Sequence, residues 1–230
     1  LYNKKNVPIG YLMPKMRNTR QLSSMIGYKN LINNFPEFNT IDLVKISLKI
    51  LRIIEKLHSY NVYIGDIQPD NFLIMESQNK ENLDPEKKIL ICLVDTDSFQ
   101  VEKYPCPGGK IEFTHPDRLS TPYSQYLRTE KDECFAISTL LFNIFMLKFF
   151  PYNHTTGGSN SDNMKKRYFP YKLNGKVFKD TPPFAAKLWP DLPPYLQEAF
   201  IEVFKQDEIF GINDWKEIMC TYKEDLQDRE

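Results

Sequence analysis

Asp66 and Asn71 lie five residues apart in the loop Gly65-Asp66-Ile67-Gln68-Pro69-Asp70-Asn71, and another carboxylate, Asp95, follows the apolar run Ile91-Cys92-Leu93-Val94. An Asp carboxylate and an Asn carbonyl are hard oxygen donors of the kind that hold Mg²⁺ in an octahedral shell. A second Asp beside them can orient an attacking hydroxyl and take its proton. Three such side chains on one edge suit phosphoryl transfer, where catalysis is mostly positioning and charge neutralisation. Taken singly, an Asp in a Gly/Pro loop is a turn former, and Asp95 with Asp97 fits a solvated strand end. The chemical reading therefore depends on what surrounds these residues.

A strand–loop–strand–loop order would bring Asp66, Asn71 and Asp95 to one edge, and the flanking sequence supports it. Ile41 to about Tyr60 reads as a long amphipathic helix, with Val44, Leu48, Leu51, Ile54 and Leu57 at threes and fours and Asn39 or Thr40 as cap. Short apolar runs at Phe72–Met75 and Ile89–Val94 read as strands, with the Lys/Glu/Asn-rich segment 76–88 as a solvated hairpin tip. Residues 95–128 carry Pro105, Pro107, Gly108, Gly109, Pro116 and Pro122 and read as loop. Thr129 and Asp132 resemble a capping box that opens a helix over 130–148, apolar nearly all round and so central to its domain. Upstream, Val7, Ile9, Tyr11 and Met13 alternate as in an extended strand, and a short helix is expected around Leu22–Phe35. Downstream, helices are expected from Pro193 and through Trp215 and Met219, and the Lys165-Lys166-Arg167 run reads as a solvated face.

Composition narrows the class. The 230 residues suffice for one large domain or two small ones, and 30 basic against 30 acidic residues give a net charge of +0. That balance argues against a protein held mainly by nucleic-acid phosphates or by an acidic membrane surface. The apolar stretch from Phe135 to Phe150 is broken by Ser138, Thr139, Asn143 and Lys148, so a core helix is expected there rather than a membrane span. Cys92, Cys106, Cys134 and Cys220 form no CxxC pair, which points to reduced thiols and a cytoplasmic setting, with Cys106 an ordinary loop thiol.

The run Leu57 to Ile74 resembles the catalytic loop of protein kinases with its preceding helix, and Val94-Asp95-Thr96-Asp97-Ser98-Phe99-Gln100 resembles the D-F-G region in a bacterial-type wording. Thr114-His115-Pro116-Asp117 sits where A-P-E closes the activation segment. Asp132 with Phe135-Ala136-Ile137 resembles the start of the family's central helix, whose buried Asp ties down the catalytic loop. Gly10 to Met16 resembles the last small-lobe strand and hinge. The resemblance implies an α+β, protein kinase-like fold: residues 1–16 end a small lobe and hinge, and 17–230 form a mostly helical large lobe with short β-hairpins. The rest of the small lobe is expected upstream, so the chain is expected to be a fragment.

By the same resemblance, Asp66 orients or deprotonates the acceptor hydroxyl, with Gln68 beside it, and Asn71 and Asp95 bind Mg²⁺. Leu73 floors the adenine of ATP, Leu12 guards the back of the pocket, and the backbone of Met13 and Lys15 faces the adenine edge. His58, on the helix rather than the loop, reads as a helix-end or core histidine. The implied activity is ATP- and Mg-dependent phosphorylation of protein Ser/Thr hydroxyls.

Departures from the pattern are specific. Gly65 replaces the Arg before the catalytic Asp, removing the partner of an activation-loop phosphate. Gln68 replaces a Lys and cannot neutralise a phosphate. Thr96 and Asp97 replace Phe and Gly, Asp117 replaces Glu without an Arg near Ile209–Ile212 to pair with, and no GxGxxG is present. A non-catalytic pseudokinase module and a small-molecule phosphotransferase are the competing readings.

Overall fold

The structure, a computed structural model, describes residues 1–10, 12, 15–34, 36, 38–76 and 89–229. Its elements, in chain order, begin with strand β1 (Thr19–Gln21) and helices α1 (Leu22–Met25), α2 (Tyr28–Asn34) and α3 (Thr40–His58). Strands β2 (Val62–Tyr63), β3 (Phe72–Glu76), β4 (Ile89–Leu93) and β5 (Gln100–Val101) follow. Then come helices α4 (Glu130–Phe145), α5 (Asn160–Lys165), α6 (Pro183–Leu188), α7 (Pro194–Ile201) and α8 (Ile212–Gln227). The chain is thus of mixed helix and sheet, as expected for the α+β class.

The strand pairings explain why the two acidic loops meet. β3 pairs antiparallel with β4, placing Phe72 opposite Leu93 and Leu73 opposite Cys92. β2 pairs antiparallel with β5, placing Tyr63 opposite Gln100. The loop 64–71 runs from β2 to β3, and the loop 94–99 runs from β4 to β5, so both must cross the same gap between the two small sheets. The Val94 N–H donates to the Asn71 carbonyl at 2.9 Å and joins them directly. β1 adds a third strand to β3, with Gln21 opposite Leu73.

Helix α3 starts where its cap dictates. The Asn39 side chain accepts the Asp42 N–H at 3.2 Å, and Asp42 Oδ2 accepts the Asn39 N–H at 3.2 Å. Its apolar stripe, Val44, Leu48, Leu51 and Ile54, is buried. Each such side chain contributes about 1.5–3 kcal/mol on burial. The helix lies against α8, where Lys216 Nζ meets Glu55 Oε1 at 2.8 Å.

Helix α4 is buried from Asp132 to Phe145 and is the centre of the core. Phe142 meets the rings of Phe200, Phe204 and Phe169 at centroid distances of 5.2, 5.6 and 5.8 Å. Trp215 of α8 donates its indole N–H to Ser138 Oγ at 2.9 Å, satisfying two polar groups inside the apolar packing. The helix ends three residues before the expected 148. Leu147 and Lys148 take left-handed backbone at φ +48° and +79°, which stops the helical ladder.

Three other expectations change, the first being that segment 95–128, read as loop, contributes strand β5 because Gln100 and Val101 pair with β2. The alternating run near the start is not a strand among the described residues: Tyr2 and Pro8 form a lone bridge, and Asn3 Oδ1 accepts the Lys5 and Val7 N–H groups. The Asn side chain thus organises a local turn where alternation suggested extension. Tyr11, Met13 and Pro14 lie outside the described residues, as does all but Glu76 of the hairpin tip. The single helix expected over 22–35 divides into α1 and α2 at Ile26-Gly27, glycine being a poor helix former. No helix among the described residues is long and apolar enough to cross a membrane.

Candidate functional site

Asp66, Gln68 and Asn71 come together on the loop between β2 and β3. Asn71 Nδ2 donates to the Asp66 backbone carbonyl at 2.9 Å and to Asp66 Oδ2 at 3.2 Å, closing the loop on itself. Gln68 Nε2 donates to the same Oδ2 at 2.6 Å. All three side chains are buried, yet Asp66 Oδ1 and Gln68 Oε1 find no donor among the described residues. A buried acceptor left unsatisfied costs about 1–3 kcal/mol, so these two atoms are where a ligand's donor or a cation would be most favourable.

Asp95 stands on the neighbouring loop in left-handed backbone, φ +63° and ψ 42°, a region Asp tolerates better than most residues. Its carboxyl holds its proton more tightly than usual: local desolvation comes first, then a hydrogen bond with Asp97, then the negative charges of Asp97 and Asp66. Such mutual repulsion among carboxylates is what a divalent cation relieves, and Asp66, Asn71, Asp95 and Asp97 all offer the oxygen donors that Mg²⁺ takes, although the three carboxylates do not converge as a ligand set among the described residues.

The loop is held from below by Glu133 on α4. With its side chain only 1% exposed, its carboxylate accepts the N–H of Gly65 at 2.6 Å and of Ile64 at 3.3 Å, and lies 3.2 Å from His58 Nε2. His58 therefore has the structural place expected of it. The loop-tying role, however, belongs to Glu133, whereas sequence reasoning assigned it to Asp132. Asp132 instead caps α4, accepting the Thr129 N–H and hydroxyl at 2.8 and 2.9 Å, and meets Arg118 at 3.2 Å. A Glu inside a helix apolar nearly all round was the available signal, since a buried charge needs partners.

Gly65 has a geometric reason. Its φ is +72°, and a Cβ there would come within 2.5 Å of Cys106 Cβ and 2.8 Å of Arg128 Nη1. The guanidinium missing at position 65 thus has a neighbour in space. Arg128 is buried, donates to the carbonyls of Cys106 and Gly108 at 3.0 and 2.6 Å, and lies 5.2 Å from the Tyr123 ring centre. Gln100 grips the Arg128 backbone at both ends, through bonds of 2.7 and 2.9 Å. Segment 106–110 is thereby fixed over Asp66 by fixed donors, and Gly108 leaves a gap of 4.0 Å between its would-be Cβ and Asp66. Cys106 is fully buried in this packing. Gln100 closes the D-x-D-S-F-Q run in the sequence without its partner being readable there, and Arg128 did not stand out, because nothing local marks a long-range donor.

The adenine-side residues are less assembled. Leu73 is half-buried in β3 between Gln21 and Cys92. Leu12 is 84% exposed and Lys15 is exposed, so the structure does not bury them against Leu73. Met13 lies outside the described residues.

A second charged cluster joins the end of the 95–117 segment to the core. Asp207 meets Lys131 and Arg167 at 2.9 Å each and His115 Nε2 at 3.1 Å, and Arg167 also reaches Asp117 at 3.3 Å. Asp117 thus does have an arginine partner, from the stretch read as a solvated face, where Lys165 and Lys166 are indeed exposed. His115, Asp117 and Asp207 have the proximity of a metal set. Lys131 and Arg167 already neutralise both carboxylates, so the cluster is an ion-pair network rather than a cation site.

Burial lowers the proton affinity of His115 below its ordinary value of 6.5, with Lys131 adding to the effect and Asp207 and Asp117 opposing it. Burial raises that of Asp207, but Lys131, His115 and Arg167 outweigh it, leaving the carboxyl below 3.8. Both shifts have one sign: the unfolded chain binds more protons, so stability is present above the unfolded values and is lost as pH falls through the folded ones. The melting temperature is expected to fall on acidification below pH 6.5, with a second loss below pH 3.8. His115→Gln should remove the first step, and an identical upper slope in that variant would refute the assignment.

No family model matches the chain, and no curated protein matches it.

Proposed function

We propose that the chain carries the catalytic half of a protein kinase-like phosphotransferase, acting with ATP and Mg²⁺ on a protein hydroxyl. One observation carries the reading. Asn71 ties itself to both the backbone and the carboxylate of Asp66, beside two buried acceptor atoms that lack donors and across from the Asp95–Asp97 carboxylates.

In this reading Asp66 orients the acceptor hydroxyl and takes its proton, while Asn71 and Asp95 hold Mg²⁺, which supplies charge neutralisation for the phosphates. Gln68 keeps the Asp66 carboxylate in place, Leu73 offers an apolar floor, and Arg128 holds segment 106–110 as a platform for the acceptor. Leu12, Met13 and Lys15 would belong to the hinge that faces the adenine. The test is transfer of γ-phosphate from Mg-ATP by the full-length chain to itself or to generic protein acceptors. Transfer is the expected result, and nucleotide binding without transfer would overturn the catalytic part.

A second reading has its own observation. Gln68, which cannot neutralise a phosphate, stands 2.6 Å from Asp66 Oδ2 in the place where the kinase pattern carries a Lys, which favours a non-catalytic module that binds nucleotide or a partner. Absent turnover with a clear Mg-ATP thermal shift would select it.

A further inference from the structure

A groove of about 560 Å³ opens between α7, the linker 207–211 and the first half of α8. Its apolar surface comes from Tyr195, Ile209, Phe210 and Ile218, and its rim from Asp214 and Glu217. Ile209 is 54% exposed, which leaves a branched apolar side chain in water at the mouth. The rim is acidic: among the described residues no Lys or Arg lines the groove, and exposed Glu208 stands next to Ile209 in the chain.

We infer that this groove docks a linear segment of a partner protein that presents one bulky apolar side chain flanked by Lys or Arg. The volume suits a single large side chain with its neighbours, within the usual range of ligand pockets. The walls are already set. Phe210 packs on buried Trp215 with ring centres 5.4 Å apart, and the Tyr195 hydroxyl donates to Asp225 Oδ2 at 2.7 Å. Rings fixed before binding lose little freedom on contact, so the apolar gain is kept. The carboxylates select the sign of the partner's charge: they favour flanking cations and disfavour acidic ones by repulsion. The groove lies on α7 and α8 and shares no lining residue with the Asp66 site, so the inference does not depend on phosphoryl transfer.

The test is fluorescence anisotropy with the full chain and labelled synthetic peptides, without nucleotide. The probe carries a central Leu with two Lys on each side in a Gly/Ser background. One comparison peptide has Ser for Leu, and another has Glu for each Lys. Saturable binding is expected for the first peptide alone. Ile209→Ser and Glu217→Lys should each weaken it about tenfold. Both positions are exposed, so the variants should melt as the parent does. Equal binding of the Glu peptide, indifference to both substitutions, or no saturable binding of any probe up to millimolar concentration would overturn the proposal.

Discussion

Asp66→Asn is expected to reduce the proposed phosphoryl transfer by about 10²–10⁴-fold, the usual contribution of a positioned base, while the proposed Mg-nucleotide binding changes little. The substitution keeps the shape of the side chain and one oxygen to accept from Gln68 and Asn71, which now share Oδ2. What it removes is the second carboxylate oxygen, Oδ1, the buried acceptor without a donor. The chain should therefore melt at nearly the parent temperature, so a loss of transfer cannot be put down to unfolding. Transfer that survives within tenfold would show that Asp66 is not the proton acceptor. Loss of nucleotide binding along with transfer would assign it to binding instead.

Glu133→Ala should be the most destabilising single truncation near the site. It strands the N–H groups of Ile64 and Gly65 against a buried helix, each at a cost of about 1–3 kcal/mol. For a chain of this length that corresponds to a fall in melting temperature of about 10 °C. Asp132→Ala, one residue away, loses a helix cap and the pair of its buried carboxylate with the partly exposed Arg118, at a cost of about 1–2 kcal/mol. The comparison is decisive because the two carboxylates are adjacent and differ in what they hold. Equal losses, or a larger loss for Asp132→Ala, would refute the assignment of the loop clamp to Glu133. Thermal or urea unfolding of the two variants reads the difference directly.

Periodicity and caps accounted for much of the helical frame. The stripe of Val44, Leu48, Leu51 and Ile54 and the Asn39 cap predict α3 to within a residue or two, and Thr129 with Asp132 predicts the start of α4. These signals are local, written within one or two turns of chain. The proximity of Asp66 to Asn71 was readable for the same reason, since five residues around Pro69 leave little room for any other arrangement. What stayed hidden depends on contacts far apart in sequence. Glu133 reaches back to Gly65, Arg128 reaches Cys106 and Gly108, and Arg167 crosses to Asp117. The alternation of Val7 and Ile9 misled because a period of two marks a strand only when a sheet receives it, and Asn3 offered a turn instead.

Helix α4 joins two tasks. Its Phe142 end is packed within the rings of Phe169, Phe200 and Phe204, and its Glu133 end holds the amides of Ile64 and Gly65. A loop made of glycine, proline and aspartate would ordinarily be among the first parts of a protein to open and close on its own. Anchored in this way, it belongs to the same cooperative unit as the aromatic core and can breathe only as far as that core does. Phe200 and Phe204, which never approach the loop, thereby belong to the packing that keeps Asp66 in place.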